Sequence, residues 1–310
     1  MRGPHDRAAA GPVPAGAPAS WGALAERHFR YVALFPAVLL LLLIGAFPVG
    51  YNLVLSFQNQ TMFSTDTSFA GLMNYRELLA DARFWQSIGH TVIIAAVALP
   101  LQLVLGLAMA QLFAGDLPGR RLFTALLLLP VVVSPLVAGA AWRLFLDNAY
   151  GPVNQIIGWF AGHPVKLLWT VSDDLVYPTV ILVEVWQHTP FVFLLCLAAI
   201  LAVDRDQVEA AQIDGASGWV VFRRVILPAI APVVSMVMLI RFVDIMRIFD
   251  MVLALTEGGP GRRTETLSLY TYVMGFQDFS LSYTGAVAFV TIALMSAMLW
   301  LILGRMEAGR

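Results

Sequence analysis

Charged residues are scarce in this chain. Aspartate, glutamate, lysine and arginine make up 13% of its 310 residues, whereas hydrophobic residues make up 59%. A soluble domain usually carries about a quarter charged residues, so the composition excludes an ordinary soluble protein and favours one that resides in lipid. The formal net charge of −1 also excludes a strongly basic nucleic-acid-binding protein.

Cysteine is almost absent, and so are the usual catalytic motifs. Cys196 is the single cysteine, which excludes an intrachain disulfide and a zinc site built on cysteine pairs. The phosphate-binding pattern G-x-x-x-x-G-K-[ST] does not occur, so the chain is not expected to bind ATP. A membrane enzyme would need clustered catalytic groups, but His90 and His188 fall in different apolar runs. We therefore assign the chain no catalytic residue, no metal site and no cofactor.

Long apolar runs make up most of the remaining sequence. A helix needs about 20 residues to cross the hydrocarbon core of a bilayer. Six runs are long enough, and the sequence thus predicts an all-α integral membrane protein with six transmembrane helices. Prolines within the runs predict kinks rather than ends, because neighbouring helices can satisfy the freed carbonyl groups. The six runs are 31–55, 87–113, 122–146, 177–202, 225–255 and 283–304.

The placement of arginine and lysine predicts the orientation of these helices. With the N-terminus inside, eleven of these residues fall in inner segments and six in the longer outer segments. Both termini are therefore expected in the cytoplasm. Residues 1–30 are interpreted as a cytoplasmic tail that ends in an interfacial helix, 31–304 as the membrane domain, and 305–310 as a second cytoplasmic tail.

The loop 203–224, between the fourth and fifth runs, faces the cytoplasm in this orientation. Residues 208–214 are good helix formers, and Gly215 stands where a helix end requires a left-handed residue. Ser217 is expected to cap a second short helix over 218–224. One interpretation is an ordinary interfacial loop. The alternative is a compact helical projection that another protein contacts.

A spaced pattern begins in this loop and extends into the fifth run. It is Glu209-Ala210-Ala211, three residues, Gly215, nine residues, Val225, one residue and Leu227-Pro228. This pattern resembles the EAA loop of permease subunits in binding-protein-dependent ABC importers, where the family usually has isoleucine in place of Val225. Other stretches are similar to the sugar-permease branch, the maltose-type first permease subunit. They are "FAGLMNY", "YGPVNQIIG", "VEVWQHTPF", "AAQIDGAS", "LTEGGP", "TETLSLYTY" and "VDIMRIFD".

The resemblance implies a type I ABC importer permease fold in the bacterial cytoplasmic (inner) membrane. The expected partners are a second homologous permease, two ABC ATPase subunits that bind ATP and Mg²⁺, and an extracytoplasmic solute-binding protein. The solute implied is a sugar, a polyol or a glycerol-type compound. The loop 203–224 would be the coupling helix, and its ATPase-coupling residues would be Glu209, Ala210, Ala211, Asp214 and Gly215. A secondary transporter or channel subunit is the alternative, although the inverted repeats expected of a transporter are not apparent.

Two groups of polar residues are candidates for the translocation path or gate. Glu184, Gln187 and His188 lie on one side of the fourth predicted helix, where ionisable residues are costly and usually functional. The alternative is an interhelical hydrogen bond that only holds the bundle together.

The second group lies in the fifth run. Arg241, Asp244, Arg247 and Asp250 alternate in sign at a spacing of three residues, at which helix neighbours can pair. One interpretation is a self-neutralising row that closes a subunit interface. In the other, Arg241 and Asp244 border the translocation cavity while Arg247 and Asp250 help form the outer gate.

Overall fold

The computed structural model describes residues 29–64, 66–115 and 117–308, and this part of the chain is almost entirely helical. Most of the predicted N-terminal tail, 1–30, lies outside the described residues. The chain divides into two units, Met1–Val54 and Leu55–Arg310. Helix α1 (Phe29–Leu41) continues through a π-helical turn (Leu42–Ala46) into α2 (Phe47–Ser56), and all but the last two residues of α2 belong to the first unit.

The second unit contains the other helices of the described chain. π-Helical turns at Phe222–Ile226 and Val273–Gln277 directly follow the short helices Gly218–Val221 and Leu267–Tyr272. In chain order the helices are α3 (Met73–Ala80), α4 (Ala82–Ala114), α5 (Arg120–Val132), α6 (Pro135–Phe145), α7 (Pro152–Ala161), α8 (Val176–Leu201), α9 (Arg205–Ile213), α10 (Gly218–Val221), α11 (Leu227–Met246), α12 (Asp250–Thr256), α13 (Leu267–Tyr272) and α14 (Leu281–Ala308).

Within the described residues, five helical segments are long and apolar enough to cross a membrane, and a bent pair brings the number to six. The five are Ala33–Ser56, Ala82–Ala114, Val176–Leu201, Gly218–Met246 and Leu281–Leu301. The pair is Arg120–Val132 and Pro135–Phe145, which meet at a bend of 99°. Each of these segments overlaps one of the six apolar runs.

The third run is broken rather than kinked, and Pro135 explains why. A residue before proline is driven away from helical geometry, and Ser134 has the extended ψ of 138°. Proline itself fits the first turn of a helix, where its missing N–H is not needed. Helix α5 therefore ends and α6 begins on either side of Val133 and Ser134.

The fifth run, predicted as continuous over 225–255, is also divided. Helix α11 ends at Met246, and α12 begins at Asp250. Non-helical backbone at membrane depth is tolerated where protein surrounds it or where it lines a watery cavity. Helix α12 packs closely on α6, since a Cβ atom at Gly139 would stand 2.6 Å from the Met251 carbonyl oxygen. The absence of a side chain at Gly139 thus permits this backbone contact.

Helices α4 and α8 lie at the centre of the second unit. One apolar cluster surrounds Ile94, Val183 and Val252, and a second surrounds Phe113, Phe193 and Ile226. In a bilayer the hydrophobic effect between helices is weak, because lipid tails are as apolar as leucine. Close van der Waals packing and interhelical polar contacts must therefore hold these helices together.

Candidate functional site

A buried ion pair joins α8 to α11. The Arg241 Nη2 atom donates to Glu184 Oε1 at 2.7 Å, and each residue is only 2% exposed. Arg241 Nη1 also donates to Asp244 Oδ2 at 3.0 Å, one helical turn further along α11. An unpaired arginine at membrane depth costs at least about 2.5 kcal/mol, so these two carboxylates satisfy a group that would otherwise be unstable there.

Gln102 of α4 completes this network and was not anticipated from the sequence. Its Oε1 accepts from Arg241 Nε at 3.2 Å, and its Nε2 donates to the Glu184 carbonyl oxygen at 3.2 Å. It is fully buried. An amide side chain within the apolar run 87–113 was the available signal, but its partners are 82 and 139 residues away along the chain. The network therefore ties α4, α8 and α11 together.

His188 lies one turn after Glu184 and extends the network toward open space. Its Nδ1 atom is 3.0 Å from Glu184 Oε1, and its side chain is 24% exposed. Among the polar neighbours of Glu184, Arg241 is buried whereas His188 is partly open. The expectation that Glu184 and His188 share one helical side agrees with this contact.

A cavity of about 410 Å³ opens beside this network, and we call it the charged cavity. Six of the seven residues predicted for the translocation path or gate line it: Glu184, His188, Arg241, Asp244, Arg247 and Asp250. The side chain of Asp244 is 54% exposed, in contrast to Arg241. The alternating row pairs only at its first step, since Arg247 and Asp250 form no ion pair with any residue that the structure describes. Arg247 follows the end of α11 and Asp250 begins α12, so these two residues do not lie on one continuous helix.

Gln187, the seventh predicted residue, does not line the charged cavity. Its Nε2 atom donates at 2.9 Å to the carbonyl oxygen of Val133, the residue that directly follows α5. Its Oε1 atom is buried and has no partner among the described residues. Gln187 therefore contacts the break in the third run, whose flanking Val131 and Pro135 line the cavity.

The coupling segment, residues 203–224, has the two-helix form predicted for it. Asp204 begins α9 by accepting a hydrogen bond from the Asp206 amide at 3.0 Å. Gly215 has the left-handed φ of 81° that the sequence predicts. Its amide bonds to the Gln212 carbonyl, and the Ala216 amide bonds to the Ala211 carbonyl, both at 3.0 Å. This pair of bonds is a Schellman motif, which ends α9 in a defined turn.

The prediction of a side-chain cap at Ser217 is wrong. Ser217 occupies the position before α10, but its side chain makes no capping hydrogen bond. Helix α10 has four residues and continues directly into the π-helical turn Phe222–Ile226 and then α11. Packing of Val221 and Ile226 in the apolar core anchors this segment in place of a cap.

One face of α9 is anchored and the other is open. Val208 and Ala211 pack against the apolar cluster that includes Phe113 and Ile226. The predicted coupling residues Glu209, Ala210, Asp214 and Gly215 are exposed, and Ala211 is half-buried. Ile213 was not singled out from the sequence, yet it is 86% exposed at the end of α9. This side chain is therefore accessible from outside the chain, on a helix whose other face is packed.

Comparison with known proteins identifies the family. Residues 102–306 match the family described as the binding-protein-dependent transport system inner membrane component. The chain belongs to this family. Its matched region begins at Gln102 and includes the coupling segment and every residue that lines the charged cavity.

Curated relatives of this permease match it over most of their length. It is 35% identical over 292 residues to the probable ABC transporter permease protein y4oQ of Sinorhizobium fredii, covering 90% of this chain and 94% of the relative. It is 30% identical over 281 residues to the trehalose/maltose transport system permease protein MalF of Thermococcus litoralis, covering 90% and 95%. It is 30% identical over 279 residues to the sulfoquinovosyl glycerol transport system permease protein SmoG of Agrobacterium fabrum, covering 88% and 89%.

Solved structures confirm the fold. The permease matches a chain of a bacterial ABC transporter that imports the acidic polysaccharide alginate with a TM-score of 0.80, at 20% identity, covering 92% of this chain and 97% of the other. It matches a chain of the MetNI methionine ABC transporter with a TM-score of 0.53, at 16% identity, covering 73% and 95%. The predicted all-α, type I ABC importer permease fold is thus confirmed.

Family membership also decides between the functional alternatives. The chain is a multi-pass membrane permease of an ABC importer, and the secondary transporter or channel subunit is excluded. Its role is transport rather than catalysis, since ATP hydrolysis in such importers resides in a separate subunit. Among the described residues, no group of histidine, cysteine, aspartate or glutamate has an arrangement that would hold a metal ion.

Proposed function

We propose that this permease forms half of the translocation pathway for a sugar, polyol or glycerol-type solute that an extracytoplasmic binding protein delivers. It acts in a complex with a second homologous permease and two ABC ATPase subunits, and those subunits bind ATP and Mg²⁺. The observation that carries the proposal is the convergence of Glu184, His188, Arg241 and Asp244 with Arg247 and Asp250 around one cavity. The relatives named for trehalose, maltose or sulfoquinovosyl glycerol support the solute class.

The chemistry of the charged cavity suits a solute with many hydroxyl groups. The half-exposed carboxylate of Asp244 and that of Asp250 can each accept hydrogen bonds from hydroxyls. Arg247 and His188 can donate to hydroxyl or ring oxygens. Phe191 and Phe249 supply apolar surface in the same cavity. Convergent polar groups on a partly apolar wall are typical of small-molecule sites.

Within the cavity we assign different roles to the buried and the open charges. Arg241 is paired with Glu184 and Asp244. It therefore forms part of the cavity wall and holds the exposed Asp244 carboxylate in position. Arg247 and Asp250 flank the break between α11 and α12 and have no ion-pair partner in the described structure. A continuous self-neutralising row would have paired them. Because these two charges are unpaired, we expect them to contact the solute or to form the outer gate.

The coupling segment supplies the connection to ATP hydrolysis. With both termini in the cytoplasm, α9 faces the compartment in which the ATPase subunits bind ATP. We assign docking to Glu209, Ala210, Ala211, Asp214 and Gly215, and we add Ile213 as the apolar anchor. Small side chains at Ala210 and Gly215 let a partner approach the backbone, while Glu209 can meet a cationic group. Because Val208 packs on the membrane core, movement of α9 would be transmitted to α11 through the rigid turn.

Reconstitution of the complex tests this proposal. The permease, its partner subunits and the binding protein are placed in proteoliposomes, and uptake of radiolabelled trehalose, glycerol and sulfoquinovosyl glycerol is measured. Arg247→Gln and Asp250→Asn should each lower uptake by about tenfold or more, because hydrogen bonds to charged groups contribute about 1.5–3 kcal/mol. Arg76→Gln removes an exposed charge outside the cavity and should not change uptake. Native uptake by both cavity variants would exclude the assigned gate, and no uptake of any hydroxylated solute by the native complex would exclude the solute class.

A further inference from the structure

An apolar groove lies between the inner half of α4 and the segment that follows the coupling turn. Its volume is about 530 Å³. Helix α4 lines it with residues spaced as one helical stripe, and the facing wall begins at α10. Among its lining side chains, Gln111 and the indole N–H of Trp219 supply the polar groups. The lining residues are Val104, Leu107, Ala108, Gln111, Gly218, Trp219, Phe222 and Leu227.

The position of the groove along α4 corresponds to one leaflet of a bilayer. From Val104 to Gln111 the helix rises about 10 Å at 1.5 Å per residue. That length is about a third of the 30 Å hydrocarbon core. Because α4 ends at Ala114, three residues after Gln111, the groove starts near the membrane surface and runs inward. An acyl chain of that leaflet would lie at the same depth and in the same direction.

Two unpaired arginines lie next to a groove-lining residue in the chain. Arg223 and Arg224 directly follow Phe222, and both are exposed, although neither lines the groove itself. Neither makes an ion pair or a side-chain hydrogen bond with the residues that the structure describes. Trp219 is 67% exposed, and its ring lies 5.7 Å from that of Phe222. Tryptophan is enriched at membrane–water interfaces, and arginine near the surface attracts anionic lipid headgroups.

We propose that this groove is a binding site for an anionic phospholipid. One acyl chain lies along the α4 stripe, and the phosphate is held by Arg223 and Arg224. The apolar lining alone would suit a protein helix as well as a lipid, but the unpaired arginines favour an occupant that is apolar at one end and anionic at the other. The site is independent of the proposed solute and gate. Because Trp219 and Phe222 connect the coupling turn to α11, bound lipid would brace this connection against α4.

The test uses Trp219 as a reporter of the lipid that occupies the groove. The complete complex is reconstituted in nanodiscs with phosphatidylcholine or phosphatidylglycerol that carries bromine on its acyl chains, which quenches nearby tryptophan fluorescence. The chain has eight tryptophans, so the signal of Trp219 is taken as the difference from the variant Trp219→Phe. Brominated phosphatidylglycerol should bind about fivefold or more tightly than brominated phosphatidylcholine, the factor expected for one arginine near an anionic headgroup.

Variants separate the two halves of the site. Arg223→Gln with Arg224→Gln should abolish the preference for phosphatidylglycerol but retain quenching by both lipids. Ala108→Phe should fill the groove and remove quenching by both. Leu105→Phe, at an exposed position of α4 outside the groove, is the matched control and should behave as the native protein. Equal affinity for the two lipids in the native complex would overturn the proposal. Absence of quenching by either lipid would overturn it as well, because a protein segment would then cover the groove.

Discussion

The charged cavity and the coupling segment use acidic residues in opposite ways. Glu184 is 2% exposed, and Arg241, His188 and Gln102 surround its side chain. Glu209 is exposed on α9 and forms no ion pair within the described structure. A glutamate buried at membrane depth is stable only with partners from its own chain, whereas an exposed one remains available to another molecule. The first kind of residue joins helices within the permease, and the second kind is open to contact with other molecules.

This difference has an energetic basis. Removing one member of a buried ion pair costs about 3–5 kcal/mol, because the other charge is left without a partner. An exposed ion pair contributes only about 0–1 kcal/mol. Substitutions in the buried network should therefore act first on stability, and substitutions in the coupling segment should act on coupling while the membrane domain remains folded.

The largest effect is expected from Glu184→Leu. This change leaves the exposed Asp244 as the one carboxylate that pairs with Arg241 among the described residues, and the free energy of unfolding should fall by about 3–5 kcal/mol. The yield of monodisperse protein in detergent and the midpoint of thermal unfolding measure the loss. Combining Glu184→Leu with Arg241→Leu should restore much of the stability, since an apolar pair of similar volume can replace a buried ion pair.

Two outcomes would contradict this expectation. Native stability of Glu184→Leu would show that the pair is not needed for folding, and failure of the double variant to recover would show that the network has a role beyond neutralisation. Leu182→Ala, at an exposed position of the same helix, is the control and should have a much smaller effect. Exchanging Arg241 and Asp244 is not a clean alternative, because Glu184 would then face a second carboxylate.

The next largest effect concerns Gly215 in the coupling segment. Its φ of 81° is unfavourable for a residue with a side chain, and Gly215→Val should cost about 1–2 kcal/mol at the turn. No atom within 4 Å would contact an added Cβ atom, so the cost arises from the backbone alone. We expect weaker co-purification of the ATPase subunits and less solute-stimulated ATP hydrolysis, with little change in the thermal stability of the membrane domain.

A glycine in regular helix provides the control for this prediction. Gly89 lies within α4 and has no positive φ, and a Cβ atom added there would likewise meet no neighbouring atom within 4 Å. Gly89→Ala should leave coupling unchanged. A contradicting outcome is that complexes containing Gly215→Val and complexes containing Gly89→Ala both show the ATP hydrolysis rate of the native complex. In that case the turn is an ordinary loop and the docking role of the segment is wrong.

The coupling segment could be predicted from sequence because its determinants are local. Helix formers followed by Gly215 specify a helix end within a few residues, and the structure has the left-handed turn at that position. Six apolar runs likewise follow from composition and length alone. The absent cap at Ser217 shows the limit of such rules, since tertiary packing of Val221 anchors α10 instead.

The buried network could be predicted only in part because its contacts join distant parts of the chain. A spacing of three residues indicates the contact of Arg241 with Asp244, but no local pattern pairs Arg241 with Glu184 or places Gln102 beside both. The break after Met246 was missed for a related reason. The charged side chains beside this break face a cavity formed by several helices, and the sequence of one helix does not show that cavity.

A smaller effect is expected from Gln187→Leu, which tests whether the break in the third run depends on a side-chain hydrogen bond. The variant removes the donor to the Val133 carbonyl oxygen and should cost about 1 kcal/mol. For a chain of this size that corresponds to a decrease of about 1–2 °C in the unfolding midpoint. Gln207→Leu makes the same substitution at an exposed position of α9 and should not lower the midpoint. An unchanged midpoint for Gln187→Leu would show that Pro135 alone maintains the break.

The smallest effect concerns Asp81, which is intermediate between the buried and the exposed acidic residues. Burial raises the pKa of its carboxyl, but hydrogen bonds from Tyr270, the Arg83 amide and Tyr283 outweigh this and hold the pKa below its usual range. A lowered pKa in the folded state stabilises the protein above the unfolded pKa of about 3.9, and this contribution is lost as the pH falls through the folded value. The unfolding midpoint of the native protein should therefore decrease more between about pH 5 and pH 3 than that of Asp81→Asn, which cannot titrate there. Asp206→Asn, at an exposed position of α9, should follow the native curve, and coincident curves for all three proteins would show that the hydrogen bonds to Asp81 contribute no stability.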